Sequence, residues 1–134
     1  MDEELVPYQT ADGKVVVEGP SVSVQPAAAQ SLALAIHELA TNAAKYGALS
    51  TGQGNLQVSW ELTFDLLVLS WTEVGGPSTQ TPTSPGLGTR IIRASIEGQL
   101  GGAVVFDWRE AGLQCVLAVP RGNVIAAVLG VLSA

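Results

Sequence analysis

Residues 35–47 constrain this 134-residue chain more than any other stretch of its sequence. Apolar residues in and just before the stretch recur at helical spacing, so at about 100° per residue they share one arc of a helix. The arc comprises Leu32, Ile36, Leu39, Ala40 and Ala43. We therefore predict a helix that begins near Pro26, ends near Tyr46 and packs its apolar arc on a sheet.

The same helix carries a second, polar arc. Its members are Glu38, Asn42, Lys45 and Tyr46, whose spacing lets their ends converge on one ligand. Carboxylate and amide oxygens suit a magnesium ion, and an ammonium group suits phosphate. The alternative is an ordinary amphipathic helix with a solvated side, against which Asn42 counts because asparagine is unfavourable inside helices. We interpret the helix as one wall of a nucleotide pocket.

Composition limits the class of protein. Hydrophobic residues make up 47% of the chain and charged residues 13%, which is enough for a core and unlike a disordered chain. A length of 134 residues favours a single domain. The net charge of -6 argues against nucleic acid as a partner, because phosphate backbones need basic patches. No apolar run reaches the roughly 18 residues of a membrane span, so we expect no direct membrane insertion.

Alternating and apolar runs on both sides of the helix predict strands. We expect a hairpin of residues 5–10 and 14–18, and further strands at 21–24, 55–62, 66–71, 103–108 and 113–119. The nearly continuous apolar run at 66–71 is typical of a central strand. Strands grouped between helices and joined mostly as hairpins indicate an α/β (α+β) two-layer sandwich. Its sheet would be mixed and mostly antiparallel, with the helices on one face.

Two glycine motifs carry further candidate chemistry. The motif Glu-Val-Gly-Gly-Pro at 73–77 follows the predicted central strand, where a carboxylate can accept a hydrogen bond from an exocyclic amine; a plain turn is the alternative. The motif Gly-Leu-Gly-Thr-Arg at 86–90 opens a second helix, where free amides and the helix dipole favour phosphate. Residues 78–85 contain only Ser, Thr, Gln and Pro, which predicts a flexible loop. The second helix is predicted to face inward through Leu87, Ile91, Ala94 and Ile96 and to end at Gly101 and Gly102.

Several better-known motifs are absent from the sequence. Neither glycine motif is followed by the Lys-Ser/Thr pair of a P-loop, and no Gly-x-Gly-x-x-Gly opens a βαβ unit. Thr41 stands where a zinc motif starting at His37 needs its second histidine. His37 lies about 100° around the helix from Glu38, which favours a partly buried, hydrogen-bonded histidine over one at the pocket edge. Cys115, the one cysteine, reads as a small core residue and fits a reducing compartment.

Taken in order, these motifs resemble the GHKL superfamily, which has the Bergerat ATP-binding fold, and within it the catalytic domain of HWE-type sensor histidine kinases. That class is marked by a histidine in the N-box and by a Trp-x-Glu motif. Here the two marks are His37 and Trp71-Thr72-Glu73. Residues 75–77 and 86–90 are similar to the two glycine boxes. The resemblance covers residues 14–120.

The resemblance implies a role for each site residue. Asn42 would hold the Mg²⁺ ion that bridges the ATP phosphates, and Glu38 would act as general base or orient the nucleophile. Lys45 and Tyr46 would contact phosphate or ribose. Glu73 would stand where most of the superfamily has an aspartate that binds the adenine amino group. The other ATP-binding residues would be Gly75, Gly76, Gly86, Leu87, Gly88, Thr89 and Arg90, beside a shortened ATP lid at 78–85.

By the same resemblance, the chain would be the ATP-binding catalytic domain of a two-component sensor histidine kinase. It would transfer the γ-phosphate of ATP to a histidine on a separate dimerisation domain, and a response regulator would receive it next. His37 is the sole histidine, so we expect ATP binding without normal autophosphorylation by this chain alone. The alternatives are an anti-sigma-factor serine kinase that also acts as a protein-binding switch, and a degenerate nucleotide-binding module. We expect a cytoplasmic location, and a short helix or a domain-contacting surface at 124–132.

Overall fold

The structure is a computed structural model that describes residues 3–5, 8–9, 14–77 and 86–126. Six strands form one sheet in the order β2-β3-β5-β6-β8-β7, and β1 and β4 form a separate pair. Within the six-stranded sheet, the β3–β5 pair is parallel and the other pairs are antiparallel. The elements are β1 (Glu3–Leu5), β2 (Tyr8–Gln9), β3 (Val15–Glu18), β4 (Val22–Val24), α1 (Pro26–Lys45), β5 (Asn55–Leu62), β6 (Leu66–Val74), α2 (Leu87–Arg93), β7 (Ala103–Arg109) and β8 (Gly112–Pro120). The predicted mixed, mostly antiparallel sheet is confirmed.

The N-terminal strands differ from the prediction. β2 and β3 pair antiparallel with Tyr8 opposite Val17, as the predicted hairpin requires, although its turn lies outside the described residues. Leu5, predicted in the same strand as Tyr8, instead belongs to β1 and pairs with Val22 of β4. Pro7 stands between β1 and β2 in the sequence and has no N–H to donate to a ladder. One apolar run therefore yields two strands in two sheets.

Helix α1 has the predicted extent. Pro26 lies in its first turn, where a missing N–H costs no helical hydrogen bond, and the Tyr46 amide donates to the Asn42 carbonyl at 2.8 Å. Ile36 and Ala40, both predicted in the core face, are only partly buried at its edge. The fully buried face comprises Ala28, Leu32, Ala35, Leu39 and Ala43. The helix therefore packs on the sheet as expected, with alanines that allow a close approach.

The second helix has a different inward face from the one predicted. After α2 the chain continues as a single π-helical turn, Ala94–Gln99. Leu87 is 74% exposed and Ala94 is also exposed, so the prediction is wrong at these two positions. Ile96 is fully buried, as predicted, Ile91 is half-buried, and Ile92, which was not predicted to face inward, is fully buried as well. A π turn holds an extra residue, so a period of 3.6 does not continue into it and fails at Ala94. Leu87 is the first residue of α2 and precedes this turn.

Strand β6 is central, between β5 and β8, as predicted. Its residues alternate between buried and half-buried, because helices cover only one of its faces. Leu67, Leu69, Trp71 and Glu73 point to the covered face. The first three belong to the hydrophobic core, and Glu73 continues their row at the end of the strand. The fold thus places one carboxylate at the end of a buried apolar row.

The described chain after β8 returns to the N-terminal pair. Ile125 forms a bridge with Val24, and the Ala126 amide donates to the Ser23 carbonyl at 2.9 Å. The described start of the predicted terminal helix is therefore extended, and the remainder of that prediction lies outside the described residues. Within the described ranges, no helix has the length and apolar character needed to cross a membrane.

Candidate functional site

Glu38 and Asn42 lie on the side of α1 that faces α2. They are one helical turn apart, and each is partly buried. A Cβ atom placed on Gly88 of α2 would lie 3.2 Å from Glu38 Oε2 and 3.3 Å from Asn42 Nδ2. Asn42 Oδ1 would be 3.7 Å from the same point. The carboxylate and the amide therefore converge on the first turn of α2, which joins two motifs that are far apart in sequence.

Gly88 is the member of the second glycine motif that the structure brings against Glu38 and Asn42. Gly86 faces open space, since a Cβ atom there would meet nothing within 4 Å, and its carbonyl accepts the Arg90 amide at 3.2 Å. The other members of the motif lie at varied depths: Leu87 and Arg90 are exposed, and Thr89 is partly buried. The predicted lid at 78–85 lies outside the described residues.

Several polar side chains on α1 and at its C-terminal end are exposed to solvent. Lys45 is exposed, and Tyr46 is 71% exposed. His37 is also exposed, so the expectation of a partly buried histidine is wrong. At about 100° per residue, His37 lies nearly opposite the buried face that is centred on Ala35 and Leu39, and it is also turned away from the side that meets α2. The His37 backbone carbonyl accepts the Thr41 hydroxyl at 2.9 Å.

Glu73 is bound on both carboxylate oxygens. It lies within β6 rather than beyond the strand, and is 4% exposed. Its Oε2 accepts the Trp71 indole N–H at 2.9 Å, and its Oε1 accepts the Ala48 backbone N–H at 3.0 Å. Each carboxylate oxygen carries two lone pairs, so further acceptor positions remain. The side chain therefore connects the central strand to the segment that follows α1.

Glycines allow this close approach. A Cβ atom at Gly47 would overlap Glu73 Oε1. A Cβ atom at Gly76 would lie 2.7 Å from the Ala48 nitrogen, so the first glycine motif rests on the peptide between Gly47 and Ala48. Gly75, with φ of +86°, makes the turn that brings Gly76 against this peptide. The segment that follows α1 and the first glycine motif are thus in direct contact.

Three contacts of Glu73 were not predicted from the sequence, although Trp71 itself was named as part of the Trp-x-Glu motif. Trp71 serves as a donor to Glu73, Ala48 provides a backbone amide, and a Cβ atom at Gly112 would overlap the Glu73 carbonyl. The spacing of Trp71 and Glu73 did contain a signal, because residues two apart in a strand share a face. The Ala48 contact joins segments 25 residues apart and has no local signal.

The two parts of the candidate site are arranged along α1. Gly47 follows Asn42 by five residues, which is about 7.5 Å at the rise of a helix. One end therefore offers Glu38 and Asn42, and the other offers the Glu73 carboxylate under Gly76. Among the described residues, no three His, Cys, Asp or Glu side chains gather as a metal cluster.

Two features lie apart from these residues. An open groove of about 700 Å³ at the other end of α1 is lined in part by Leu5, Val24, Pro26 and Ile36, and by no predicted site residue. Cys115 is fully buried, and burial raises the pKa of its thiol to about 12. A thiol of this kind is not a nucleophile at neutral pH, so Cys115 is the small core residue that was predicted.

A comparison of the sequence with models of known protein families finds no match. A blue-light-activated histidine kinase of Erythrobacter litoralis is 40% identical to the chain over 110 residues. This chain is a homologue of that histidine kinase. The aligned region is 80% of the chain, and the chain spans 30% of the length of that relative.

Solved structures of histidine kinases share the fold of this histidine-kinase homologue. The histidine kinase domain of a blue-light-activated kinase from Erythrobacter litoralis has a TM-score of 0.70 at 22% identity, covering 82% of this chain and 53% of that one. The catalytic domain of histidine kinase ThkA has a TM-score of 0.60 at 20% identity, covering 78% and 76%. The fold is that of a histidine-kinase catalytic domain. These findings favour the histidine-kinase interpretation over the serine-kinase alternative.

Proposed function

We propose that this histidine-kinase homologue binds ATP with Mg²⁺ and transfers the γ-phosphate to a histidine on a separate dimerisation domain of the same protein. The observation that carries the proposal is the convergence of Glu38 and Asn42 on Gly88. This convergence brings a carboxylate and an amide next to the backbone of Gly88, which a ligand can approach closely because glycine has no side chain. The relative named a histidine kinase supports this class of reaction.

Magnesium fits the donors present at this point. Asn42 and Glu38 offer the hard oxygen atoms that Mg²⁺ prefers, and Asn42 Oδ1 lies on the side of α1 that meets α2. Mg²⁺ usually takes only one or two protein ligands, with phosphate oxygens and water in its other positions. We assign Asn42 as the protein ligand. When bound, the ion would neutralise charge on the phosphates.

Glu73 is our proposed contact for the adenine base. Its carboxylate has lone pairs beyond those that receive the Trp71 and Ala48 hydrogens, and a 6-amino group is a donor that can use them. The side chain is only 4% exposed beneath Gly76. The base would therefore reach Glu73 when Gly76 moves off the peptide below it, with Gly75 as the pivot.

The phosphates and ribose would lie between these two ends. Lys45 and Arg90 would supply positive charge, and their exposure leaves both free to turn toward a bound nucleotide. Tyr46 would contact ribose or phosphate through its hydroxyl. The start of α2 would contribute the remaining groups, from Gly86, Leu87, Gly88 and Thr89.

Glu38 would act on the incoming histidine. The attacking ring nitrogen forms a bond to the γ-phosphorus while the bond from that phosphorus to the β,γ-bridging oxygen breaks, and ADP leaves. Glu38 accepts the proton on the other ring nitrogen as a hydrogen bond or takes it, which keeps the attacking nitrogen nucleophilic. Phosphoryl transfer asks mainly for positioning and charge neutralisation, which these residues can supply.

The phosphate acceptor is proposed to lie outside this chain. His37, the sole histidine, is on the same helix as Glu38 and Asn42, so we expect no normal autophosphorylation by the chain alone. A response regulator would then receive the phosphate from the dimerisation domain. We propose the cytoplasm as the compartment, where a buried free thiol such as Cys115 stays reduced.

Calorimetric titration with a non-hydrolysable ATP analogue, with and without Mg²⁺, tests the proposal. We expect the wild-type chain to bind the analogue, and binding to strengthen with Mg²⁺. Asn42→Ala should lose this dependence on Mg²⁺. Asn55→Ala is the matched control, because Asn55 is exposed at the start of β5 and is not a candidate site residue.

Two results would count against the proposal. Absence of binding by a folded wild-type chain would reject the nucleotide site. Unchanged Mg²⁺ dependence in Asn42→Ala would reject Asn42 as the metal ligand while leaving ATP binding intact. Addition of a purified dimerisation domain from the same protein, with labelled ATP, would then test transfer to its histidine.

A further inference from the structure

We infer that Trp71 is the positioning residue that sets the Glu73 carboxylate to select a 6-aminopurine base, such as adenine, over a 6-oxopurine base. The inference rests on the proposed function, since it concerns how the same site chooses its nucleotide. Trp71 itself has no contact with the base in this account. Its effect passes through Glu73.

Two donors from different elements fix the orientation of the carboxylate. The Trp71 indole, on β6, donates to Oε2 at 2.9 Å, and the Ala48 amide, after α1, donates to Oε1 at 3.0 Å. Gly47 limits movement on one side, because any Cβ atom there would overlap Oε1. With both oxygens held, the carboxylate cannot rotate about its terminal torsion. The directions of its remaining lone pairs are therefore fixed as well.

Trp71 can impose this orientation because it is itself immobile. It is 2% exposed, and it lies in the centre of the sheet opposite Val58 of β5 and Cys115 of β8. A buried indole has little freedom to follow a moving partner, since interiors are closely packed. The carboxylate therefore adapts to the indole, and not the reverse.

A carboxylate fixed in this way discriminates between purines by hydrogen-bond polarity. It accepts hydrogen bonds and has none to donate. The 6-amino group of adenine is a donor, whereas O6 of guanine is an acceptor. A free carboxylate can swing away from O6, but one held by Trp71 and Ala48 must face it. Loss of the indole N–H should therefore weaken ATP binding and relax the rejection of GTP.

Trp71→Phe tests the inference, because it removes the indole N–H and keeps an aromatic ring. Trp60→Phe is the matched control: Trp60 is 4% exposed in β5, and its indole donates to the Pro20 carbonyl at 2.7 Å. Both variants lose one hydrogen bond from a buried indole. Calorimetry of the 134-residue chain with non-hydrolysable ATP and GTP analogues, in Mg²⁺, gives a ratio of dissociation constants for each variant.

We expect the preference for ATP over GTP to fall about tenfold in Trp71→Phe, the size expected when one hydrogen bond to a charged group is lost. Trp60→Phe should keep the wild-type ratio. An unchanged ratio in a Trp71→Phe chain that still binds ATP would overturn this inference alone. Failure of the wild-type chain to bind either analogue would overturn the proposed function, and this inference with it.

A second measurement uses the wild-type chain, in case Trp71→Phe does not fold. The chain has three tryptophans, and spectra of Trp60→Phe and Trp108→Phe assign the Trp71 indole ¹H–¹⁵N signal by elimination. We expect this signal to shift more with the ATP analogue than with the GTP analogue at saturation, because only adenine binds the Glu73 carboxylate. Equal shifts, or no shift with ATP bound, would overturn the inference.

Discussion

Gly47 leaves no room for a side chain beside Glu73, because a Cβ atom at this position would overlap Glu73 Oε1. The φ of Gly47 is -113°, which any residue adopts, so the requirement for glycine comes from the carboxylate and not from the backbone. We expect Gly47→Ala to destabilise the fold by about 1–3 kcal/mol, as overpacking does, and to weaken ATP binding. Urea unfolding and calorimetry measure the two effects. Gly52→Ala is the control, since a Cβ atom there meets nothing within 4 Å; equal behaviour of both variants would contradict the expectation.

Gly88→Ala should weaken ATP binding without lowering the stability of the fold. Alanine favours helix over glycine by up to about 1 kcal/mol, so the variant should be as stable as the wild type or more so. Its methyl group, however, would come within 3.2 Å of Glu38 Oε2 and 3.3 Å of Asn42 Nδ2, which forces both ends to shift. We expect Mg²⁺-dependent ATP affinity to fall severalfold in calorimetry. Gly98→Ala, at a glycine in the π-helical turn that faces open space and is not a candidate site residue, should bind like the wild type; identical affinity in both variants would refute the proposed convergence.

Glu73→Gln should be destabilising although it preserves shape. Trp71 and Ala48 both donate to Glu73, and a glutamine amide has only one oxygen to accept. Its NH₂ group must therefore face one of the two donors, at a cost of about 1–3 kcal/mol. Urea unfolding measures this loss. Glu61→Gln, at an exposed position of β5, should change stability by no more than about 0.5 kcal/mol.

The double variant Trp71→Phe with Glu73→Gln should be more stable than the sum of the single losses predicts. Phenylalanine removes the donor that the glutamine NH₂ group would face, so the amide can accept from Ala48 without conflict. We expect a coupling free energy of about 1 kcal/mol in a double-mutant cycle. Additive losses would show that the indole and the carboxylate do not act on one another.

Cys115 should make stability fall in alkaline solution. Burial raises the pKa of its thiol from 9.0 to about 12, so above pH 9 the unfolded chain loses this proton before the folded chain does. Unfolding is then favoured by up to about 1.4 kcal/mol per pH unit as the pH rises toward 12. We expect the stability advantage of the wild type over Cys115→Ala, measured in urea, to shrink above pH 9. A constant difference between the two from pH 7 to 10.5 would be contrary to a buried, protonated thiol.

Local patterns predicted the elements, and tertiary packing decided their partners. The bounds of β5 follow from strict alternation in the sequence, and those of α1 from Pro26 and Gly47. The pairing of β1 with β4 joins residues far apart in the chain, so no local period encodes it. The π-helical turn after α2 has no sequence signal that distinguishes it from a continued α-helix. The predicted inward face therefore held for Ile96 but failed at Ala94 within this turn, whereas in α1 it held for Leu32, Leu39 and Ala43.

In the candidate site, too, local spacing was predictable from the sequence and contacts between distant segments were not. The i, i+4 spacing of Glu38 and Asn42 predicts that both reach one point, and the structure adds Gly88 as their neighbour. The resemblance implied that Gly75 and Gly76 belong to the ATP site, but their contact with the Gly47–Ala48 peptide needed the approach of two distant segments. His37 is exposed because it lies on the side of α1 that packs neither on the sheet nor on α2.

The parallel pairing of β3 with β5 gives α1 a second structural role. Parallel neighbours need a crossover, and α1 is the main part of that crossover, so it ties β2 and β3 to the antiparallel strands on the other side. Melting this helix would divide the sheet in two. Backbone amides on the buried side of α1 should therefore exchange with deuterium only through global unfolding. Local motions that admit a nucleotide should therefore occur in the two glycine motifs, whereas the helix that carries Glu38 and Asn42 stays rigid.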